Sequence, residues 1–125
     1  MKNPLKAAPQ PKVAPQWQWH HRALLALRRV LTKEQEVRHA ALHAPKEEGG
    51  VDYSDKATEE QEREELLAEL SVEAAELSEI EAALVRLHNG TYGYCEVTGR
   101  PIAPERLKAL PWTRFSRDIA AAREK

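Results

Sequence analysis

Apolar residues repeat along residues 55–89 at the spacing of a coiled coil. Successive members of this stripe are three or four residues apart, and they are Leu66, Leu70, Ala74, Leu77, Ile80, Leu84 and Leu87. Such a repeat gathers apolar side chains on one side of a helix, where a second helix can pack against them. The pattern predicts a long helix over 55–89, with a capping box of Thr58 and Gln61 near its start and a stop at Asn89-Gly90.

A shorter stripe predicts a partner helix over residues 16–44. Leu24, Leu27 and Leu31 follow the same spacing of three and four. The intervening segment 45–58 contains a proline and a pair of glycines, which break helices. We therefore expect the chain to run out along the first helix, turn at 45–58 and return along the second. The predicted fold is mainly α, a long antiparallel coiled-coil hairpin with its tip at 45–58.

The two ends of the chain differ from the hairpin in composition. Residues 1–15 contain four prolines and three lysines and are expected to form a flexible N-terminal arm. Residues 90–125 are rich in turn-forming residues, and we expect short strands near 92–96 and a final helix over 112–125. The predicted domains are the arm, the hairpin over 16–89 and a small globular base over 90–125.

Composition and charge narrow the possible functions. Charged residues make up 31% of the 125 residues and aromatic residues 6%, which suits an extended helical protein with a thin core. The net charge of -1 gives no general attraction to nucleic acid, so we expect no direct sequence-specific DNA binding. The first helix is basic and the second is acidic, which favours pairing within one chain and predicts a monomer.

Several classes of protein are not expected. The single cysteine excludes an internal disulfide, and no apolar run reaches the ~20 residues of a membrane span, so we expect a soluble cytoplasmic protein. The sequence shows no nucleophile with a base and an orienting group and no phosphate-binding loop, so we do not expect an enzyme. His39 and His43 are four residues apart, but no carboxylate completes a metal site within that turn.

Acidic residues mark the predicted tip. Asp52 and Asp55 lie three residues apart and are followed by the small Ala57. Carboxylates at the turn of a long hairpin can enter a cavity in another molecule. The alternative is that they cap the second helix, since aspartate is favoured at helix N-termini and Asp55 is the better placed of the two.

The segment after the hairpin resembles a known family. It reads Y-G-Y-C-E-V-T-G-R-P-I and then R-L-K-A-L-P, which is similar to the C-terminal zinc-finger region of the DksA/TraR family of bacterial transcription factors. The four zinc-ligand positions of that family fall here on Cys95, Thr98, Ser116 and Ile119. A structural zinc needs about four thiolate, imidazole or carboxylate ligands, and three of these residues cannot supply them. We therefore expect a degenerate finger with no metal and no cofactor.

Packing is expected to stabilise the base in place of the metal. The apolar residues that would supply this packing are Ile102, Leu107, Trp112, Phe115 and Ile119. Cys95 would then be a buried apolar residue rather than a ligand.

The resemblance extends to the tip and implies a function. The family carries the pattern D-x-x-D-x-A at this place, and Asp52, Asp55 and Ala57 match it. The resemblance implies a hairpin that enters the secondary channel of bacterial RNA polymerase and alters the stability of promoter complexes. Two alternatives remain open, namely a transcript-cleavage or elongation accessory factor and a coiled-coil adaptor that does not bind polymerase.

The resemblance also bears on the stringent response. Family members that bind the alarmone ppGpp use basic residues at positions that correspond to Glu79, Leu110 and Ala120. None of these is basic, which predicts that this chain does not build the same alarmone site. Arg114 and Arg117 are the residues that could compensate.

Overall fold

The computed structural model describes residues 13–44 and 53–124. A 3-10 turn at Pro15–Trp17 leads into two long helices, α1 (Gln18–Leu42) and α2 (Tyr53–Asn89), which are followed by the short helices α3 (Pro104–Ala109) and α4 (Arg117–Arg123). The two long helices pack antiparallel, so the predicted mainly α fold with a coiled-coil hairpin is confirmed. None of the described helices is both long enough and apolar enough to span a membrane.

The described residues fall into two compact units. The first, called the hairpin unit, comprises residues 28–78 and contains the C-terminal part of α1 and the N-terminal part of α2. Arg38 of α1 bonds to Glu69 and Glu73 of α2, and further along α1 the Leu42 carbonyl accepts a hydrogen bond from Arg63. As the residue number increases along α1, the number of the residue that it contacts on α2 decreases, as in antiparallel helices.

One position of the coiled-coil stripe differs from the prediction. Leu70 is buried as expected, but Ala74 is exposed and the neighbouring Glu73 is 6% exposed. Steps of three and then four residues from Leu70 lead to Glu73 and then to Leu77, which is the spacing of a coiled coil. Glu73 is therefore buried because of its position in the helical repeat, although it is charged. Arg38 forms an ion pair with the buried carboxylate.

The second unit, called the base, includes described residues 13–27 and 79–124. Its core joins the apolar side of α1 and α2 to the segment after α2, and its buried apolar residues are Val13, Leu24, Ile80, Ala83, Leu84, Leu87, Tyr92, Cys95, Ile102 and Leu107. Trp17 packs edge-on against Tyr92 with ring centroids 5.0 Å apart. Trp19 is instead half exposed, with Lys108 above its ring.

The start of α2 differs from the prediction. The helix begins at Tyr53, so Thr58 lies inside it and cannot cap it, and the Gln61 amide donates to Glu65 one turn further on. Asp55 lies in the first turn of the helix, two residues after Tyr53. Asp52 and the rest of the segment 45–52 lie outside the described residues.

The C-terminal segment also differs from the prediction. Instead of strands near 92–96, the described residues contain one β-bridge, between Tyr94 and Pro101. Helix α3 was not expected, and its first turn contains Pro104 and Glu105, both of which suit a helix N-terminus. The predicted helix over 112–125 begins only at Arg117, because side chains elsewhere in the base bind the carbonyl groups of residues 111–115.

Candidate functional site

The beginning of α2 concentrates negative charge. Ala57 is exposed in the second turn of the helix, and the side chain of Asp55 is not described. Over the next five turns the sequence contains only one basic residue, Arg63, beside the glutamates Glu59, Glu60, Glu62, Glu64, Glu65, Glu69, Glu73 and Glu76. A partner that accepts this end of the hairpin unit must therefore tolerate or attract carboxylates.

An open groove lies beside these glutamates in the hairpin unit. Its apolar lining comes from Ala41 and Leu42 of α1 and Leu66 of α2, and acidic side chains including Glu62 and Glu65 line its walls. The groove combines apolar surface with negative charge, so the acidic character of α2 is not confined to its first turn.

The structure brings together three of the four degenerate zinc-finger positions. Cys95 is 1% exposed, and its sulfur accepts hydrogen bonds from the N–H groups of Ser116, Thr98 and Val97 and from the Thr98 hydroxyl. Burial alone would raise the pKa of Cys95, but these hydrogen bonds outweigh it and lower the pKa to about 6. Ile119 is half-buried.

These positions do not fit a zinc ion. Thr98 and Ser116 contribute backbone N–H groups to the sulfur rather than ligands to a metal, and Ile119 has no donor atom. Nowhere in residues 13–44 and 53–124 do three His, Cys, Asp or Glu side chains converge as a metal site would require. His39 of α1 and His43, which follows the end of α1, are both exposed.

Polar groups replace much of the expected apolar packing in the base. Ile102 and Leu107 are buried as predicted, but Trp112, Phe115 and Ile119 are only half-buried. Three polar side chains bind carbonyl groups of residues 111–115, and they are Arg86, Tyr92 and Arg106, of which the last two lie in the motifs quoted above. The feature of the sequence that points to Arg86 is its position directly before Leu87 of the apolar stripe.

An ion-pair network covers one side of the base. Arg114 Nε lies 2.6 Å from Glu79 Oε2, and Arg114 Nη1 lies 3.2 Å from Glu96 Oε1. The hydrogen bond to Glu79 raises the pKa of Arg114, whereas burial and the nearby Arg114 lower the pKa of Arg86. Arg114 is thus already bound to two carboxylates.

Several known proteins are similar to this chain in sequence. Residues 90–125 match the prokaryotic dksA/traR C4-type zinc finger. The chain is 35% identical over 102 residues to the RNA polymerase-binding transcription factor DksA of Caulobacter vibrioides, a match that covers 81% of this chain and 70% of that protein. It is 55% identical over 53 residues to an uncharacterized protein of Aquifex aeolicus, of which it spans 37%.

A solved structure is similar over nearly the whole chain. The structure of transcription factor DksA2 from Pseudomonas aeruginosa superposes with a TM-score of 0.74 at 30% sequence identity. The similarity covers 92% of this chain and 91% of that one, so it includes the long helices as well as the finger region.

Proposed function

The chain belongs to the DksA/TraR family, which consists of transcription factors rather than enzymes, and we propose that it binds bacterial RNA polymerase through the secondary channel. The similarity to DksA2 over 92% of the chain carries this proposal, because it extends to the hairpin and not only to the finger. The Caulobacter relative, which is named for binding RNA polymerase, supports the same partner.

The dimensions of the long helices suit entry into a channel. Helix α2 has 37 residues, which corresponds to about 55 Å at 1.5 Å per residue. Arg38 bridges to Glu69 at 2.7 Å and also to Glu73, which fixes the register of α1 on α2 within the hairpin unit. A helix pair in fixed register can present its turn at a defined depth inside a partner.

The tip residues would produce the effect on transcription. Carboxylates at Asp52 and Asp55 would accept hydrogen bonds from basic or amide groups of mobile elements near the polymerase active centre. Ala57 is exposed and small, so it would allow close approach. The expected consequence is a change in the lifetime of the promoter open complex, produced by a cytoplasmic monomer that does not itself read DNA sequence.

Photo-cross-linking tests where the tip lies on the polymerase. Ala57 and, as a control, the exposed Ala121 of α4 would each be replaced by a photoreactive benzoylphenylalanine. We expect position 57 to cross-link to polymerase segments at the active centre and position 121 to segments outside it. Absence of binding to polymerase would contradict the proposal and favour the adaptor alternative, and stimulated transcript cleavage would favour the cleavage-factor alternative.

A further inference from the structure

The apolar interface between α1 and α2 is less complete near the tip than further along the hairpin unit. Leu66 and Leu70 are successive members of the apolar stripe of α2, but Leu70 is 7% exposed whereas Leu66 is only half-buried. On α1, Leu42 lies one turn after Arg38, on the side that faces α2, and it is also half-buried. The two leucines therefore leave apolar surface in contact with water, and covering such surface is favourable.

This apolar surface is the floor of the open groove in the hairpin unit. The groove has a volume of about 530 Å³, within the range of ~300–1,000 Å³ that is usual for binding clefts. Ala41 and Ala44 also line it, and their short side chains leave room above the leucines. Arg63 connects the two helices here, but its hydrogen bond to the Leu42 carbonyl is long, at 3.4 Å. The groove can therefore accept side chains from another molecule.

Carboxylates surround this floor and make the groove negative. Its acidic lining residues are Glu59, Glu60, Glu62, Glu65 and Glu69, and among its described lining residues only Arg63 is basic. Charges of one sign around a concave apolar surface strengthen the field inside it and attract groups of the opposite sign. The groove therefore favours a cationic partner that also carries an apolar side chain.

The chain balances part of this charge itself, at the end of the groove where Glu69 lies. Arg38 Nε donates to Glu69 at 2.7 Å, and Arg38 also binds the neighbouring Glu73. Glu73 is 6% exposed, and its Oε1 has no hydrogen-bond partner. Acceptors thus exceed donors even beside Arg38, so a partner that supplies donors is favoured.

We propose that this groove binds a segment of RNA polymerase in which a lysine or arginine lies beside an apolar side chain. The apolar side chain would cover Leu42 and Leu66, and the cationic group would donate to Glu62 and Glu65. The inference rests on the proposed function and extends it, because it adds a binding surface on the side of the hairpin to the effect assigned to the tip. The chain's own segment 45–52 contains three carboxylates and one lysine, so like charges oppose it as the occupant.

Binding of the full chain to purified RNA polymerase tests the acidic walls with matched variants. Glu62→Gln/Glu65→Gln removes two carboxylates from the groove, and Glu64→Gln/Glu76→Gln removes two exposed carboxylates of α2 that are not among its lining residues. We expect the groove variant to raise the Kd about tenfold and the control to change it less than about twofold. The difference should shrink at high salt, because salt screens exposed charges.

A second pair of variants tests the apolar floor. Leu66→Ala shortens a leucine that lines the groove, and Leu67→Ala shortens the adjacent leucine, which is 45% exposed and is not among the lining residues. We expect Leu66→Ala to raise the Kd about fivefold and Leu67→Ala to change it less than about twofold. Far-UV circular dichroism checks that both proteins keep their helices, and the glutamine variants decide if Leu66→Ala unfolds.

Photo-cross-linking identifies the occupant. A photoreactive benzoylphenylalanine would replace Ala41, which lines the groove, or the exposed Ala75 of α2 as the control. We expect position 41, and not position 75, to capture a polymerase segment with a lysine or arginine beside an apolar residue. Replacement of that cation by glutamate should weaken binding of the original chain, and Glu62→Lys/Glu65→Lys should restore it.

The outcomes separate this inference from the proposed function. If the original chain does not bind polymerase, both are overturned. If it binds but the groove variants bind as tightly as their controls, the inference alone is overturned. Capture from position 41 of a second copy of the chain, of its own segment 45–52 or of a polymerase segment without a cation would also overturn the inference alone.

Discussion

Arg114 and Glu79 form a hydrogen-bonded ion pair, with Arg114 Nε 2.6 Å from Glu79 Oε2. The family resemblance places Glu79 where alarmone-binding members have a basic residue, and glutamate at this position is acidic instead. Arg114, which could have compensated, is committed to Glu79 and to Glu96. One of the two candidate anion ligands is therefore neutralised within the base, and the other, Arg117, is exposed at the start of α4.

The first prediction is that ppGpp does not change the activity of this protein. Because Glu79 is acidic rather than basic and Arg114 is already paired with it, the lifetime of promoter complexes with the protein should be the same with and without ppGpp. A zinc-containing DksA that responds to ppGpp would serve as the positive control, with a polymerase that lacks any alarmone site of its own. Strong synergy between the protein and ppGpp would contradict the prediction.

The second prediction concerns the contact between Trp17 and Gly93. A Cβ atom built at Gly93 would lie 2.7 Å from Trp17 Cζ2 and 2.9 Å from Cη2, and the residue has φ +93. Gly93→Ala should lower the free energy of unfolding by about 2–4 kcal/mol, the sum of overpacking and a left-handed backbone. Urea unfolding followed by tryptophan fluorescence measures it.

Gly90 and Gly99 provide matched controls for this change. Both have positive φ, +84 and +72, but a Cβ at either would meet nothing within 4 Å. Alanine at these positions should therefore produce only the backbone effect, about 1–2 kcal/mol. Equal destabilisation at all three glycines would show that the Trp17 contact contributes nothing.

The third prediction is a loss of stability in mild acid that depends on His20. This histidine is buried among Trp17, Trp19 and Tyr92, its Nδ1 is unpartnered, and burial followed by the charge of Lys108 lowers its pKa. The unfolded chain, with an ordinary histidine pKa near 6.5, then binds more protons than the folded chain. Stability should fall as the pH drops below about 6.5 and stop falling below the folded-state pKa.

Comparison of variants isolates this histidine. The fluorescence Tm would be measured from pH 5 to pH 8 for the original chain, His20→Gln and the exposed control His39→Gln. The difference between the original chain and His20→Gln should shrink as the pH falls, and His39→Gln should follow the original chain. Parallel pH profiles for all three proteins would contradict the assignment.

The fourth prediction concerns the buried carboxylate of the hairpin unit. Glu73 is 6% exposed and one of its oxygens is unpartnered, so removal of Arg38 would leave the carboxylate without its cation. Arg38→Met should lower the urea midpoint measured by far-UV circular dichroism, and Glu73→Leu in the same chain should restore it. The exposed pair of Lys33 and Glu36 is the control, and Lys33→Met should have little effect. A failure of Glu73→Leu to restore stability would contradict the assignment.

Periodicity in the sequence predicted the hairpin but not every residue that builds it. The leucine spacing of α2 predicted a helical partner. The shorter stripe of Leu24, Leu27 and Leu31 located that partner correctly in α1. A step of three residues from Leu70 places Glu73 in the interface, whereas the prediction chose Ala74, four residues away, because alanine is apolar. The predicted helix started at residue 55, whereas α2 starts at Tyr53. Thr58 and Gln61 match a capping pattern that the helix does not use.

The base was less predictable because its order comes from contacts between distant residues. Turns and the buried Ile102 and Leu107 followed from local sequence. The hydrogen bonds from Arg86 and Arg106 to carbonyl groups of 111–115 correspond to no periodic pattern in the sequence. The sequence therefore predicts the beginning of a helix in this segment. Loss of three cysteines predicted that other contacts would stabilise the base, but only the three-dimensional arrangement showed hydrogen bonds to these carbonyl groups among them.

The lifetime of the open complex at a ribosomal RNA promoter shows whether the aspartates of the tip act on RNA polymerase. It would be measured with purified bacterial RNA polymerase and the original chain, with Asp52→Asn/Asp55→Asn, and with Glu47→Gln/Glu48→Gln, which removes two other carboxylates from the tip segment. We expect all three proteins to bind polymerase, and we expect the original chain and the glutamate variant to shorten the lifetime, whereas the aspartate variant does not. An aspartate variant that binds and shortens the lifetime as the original chain does would contradict it.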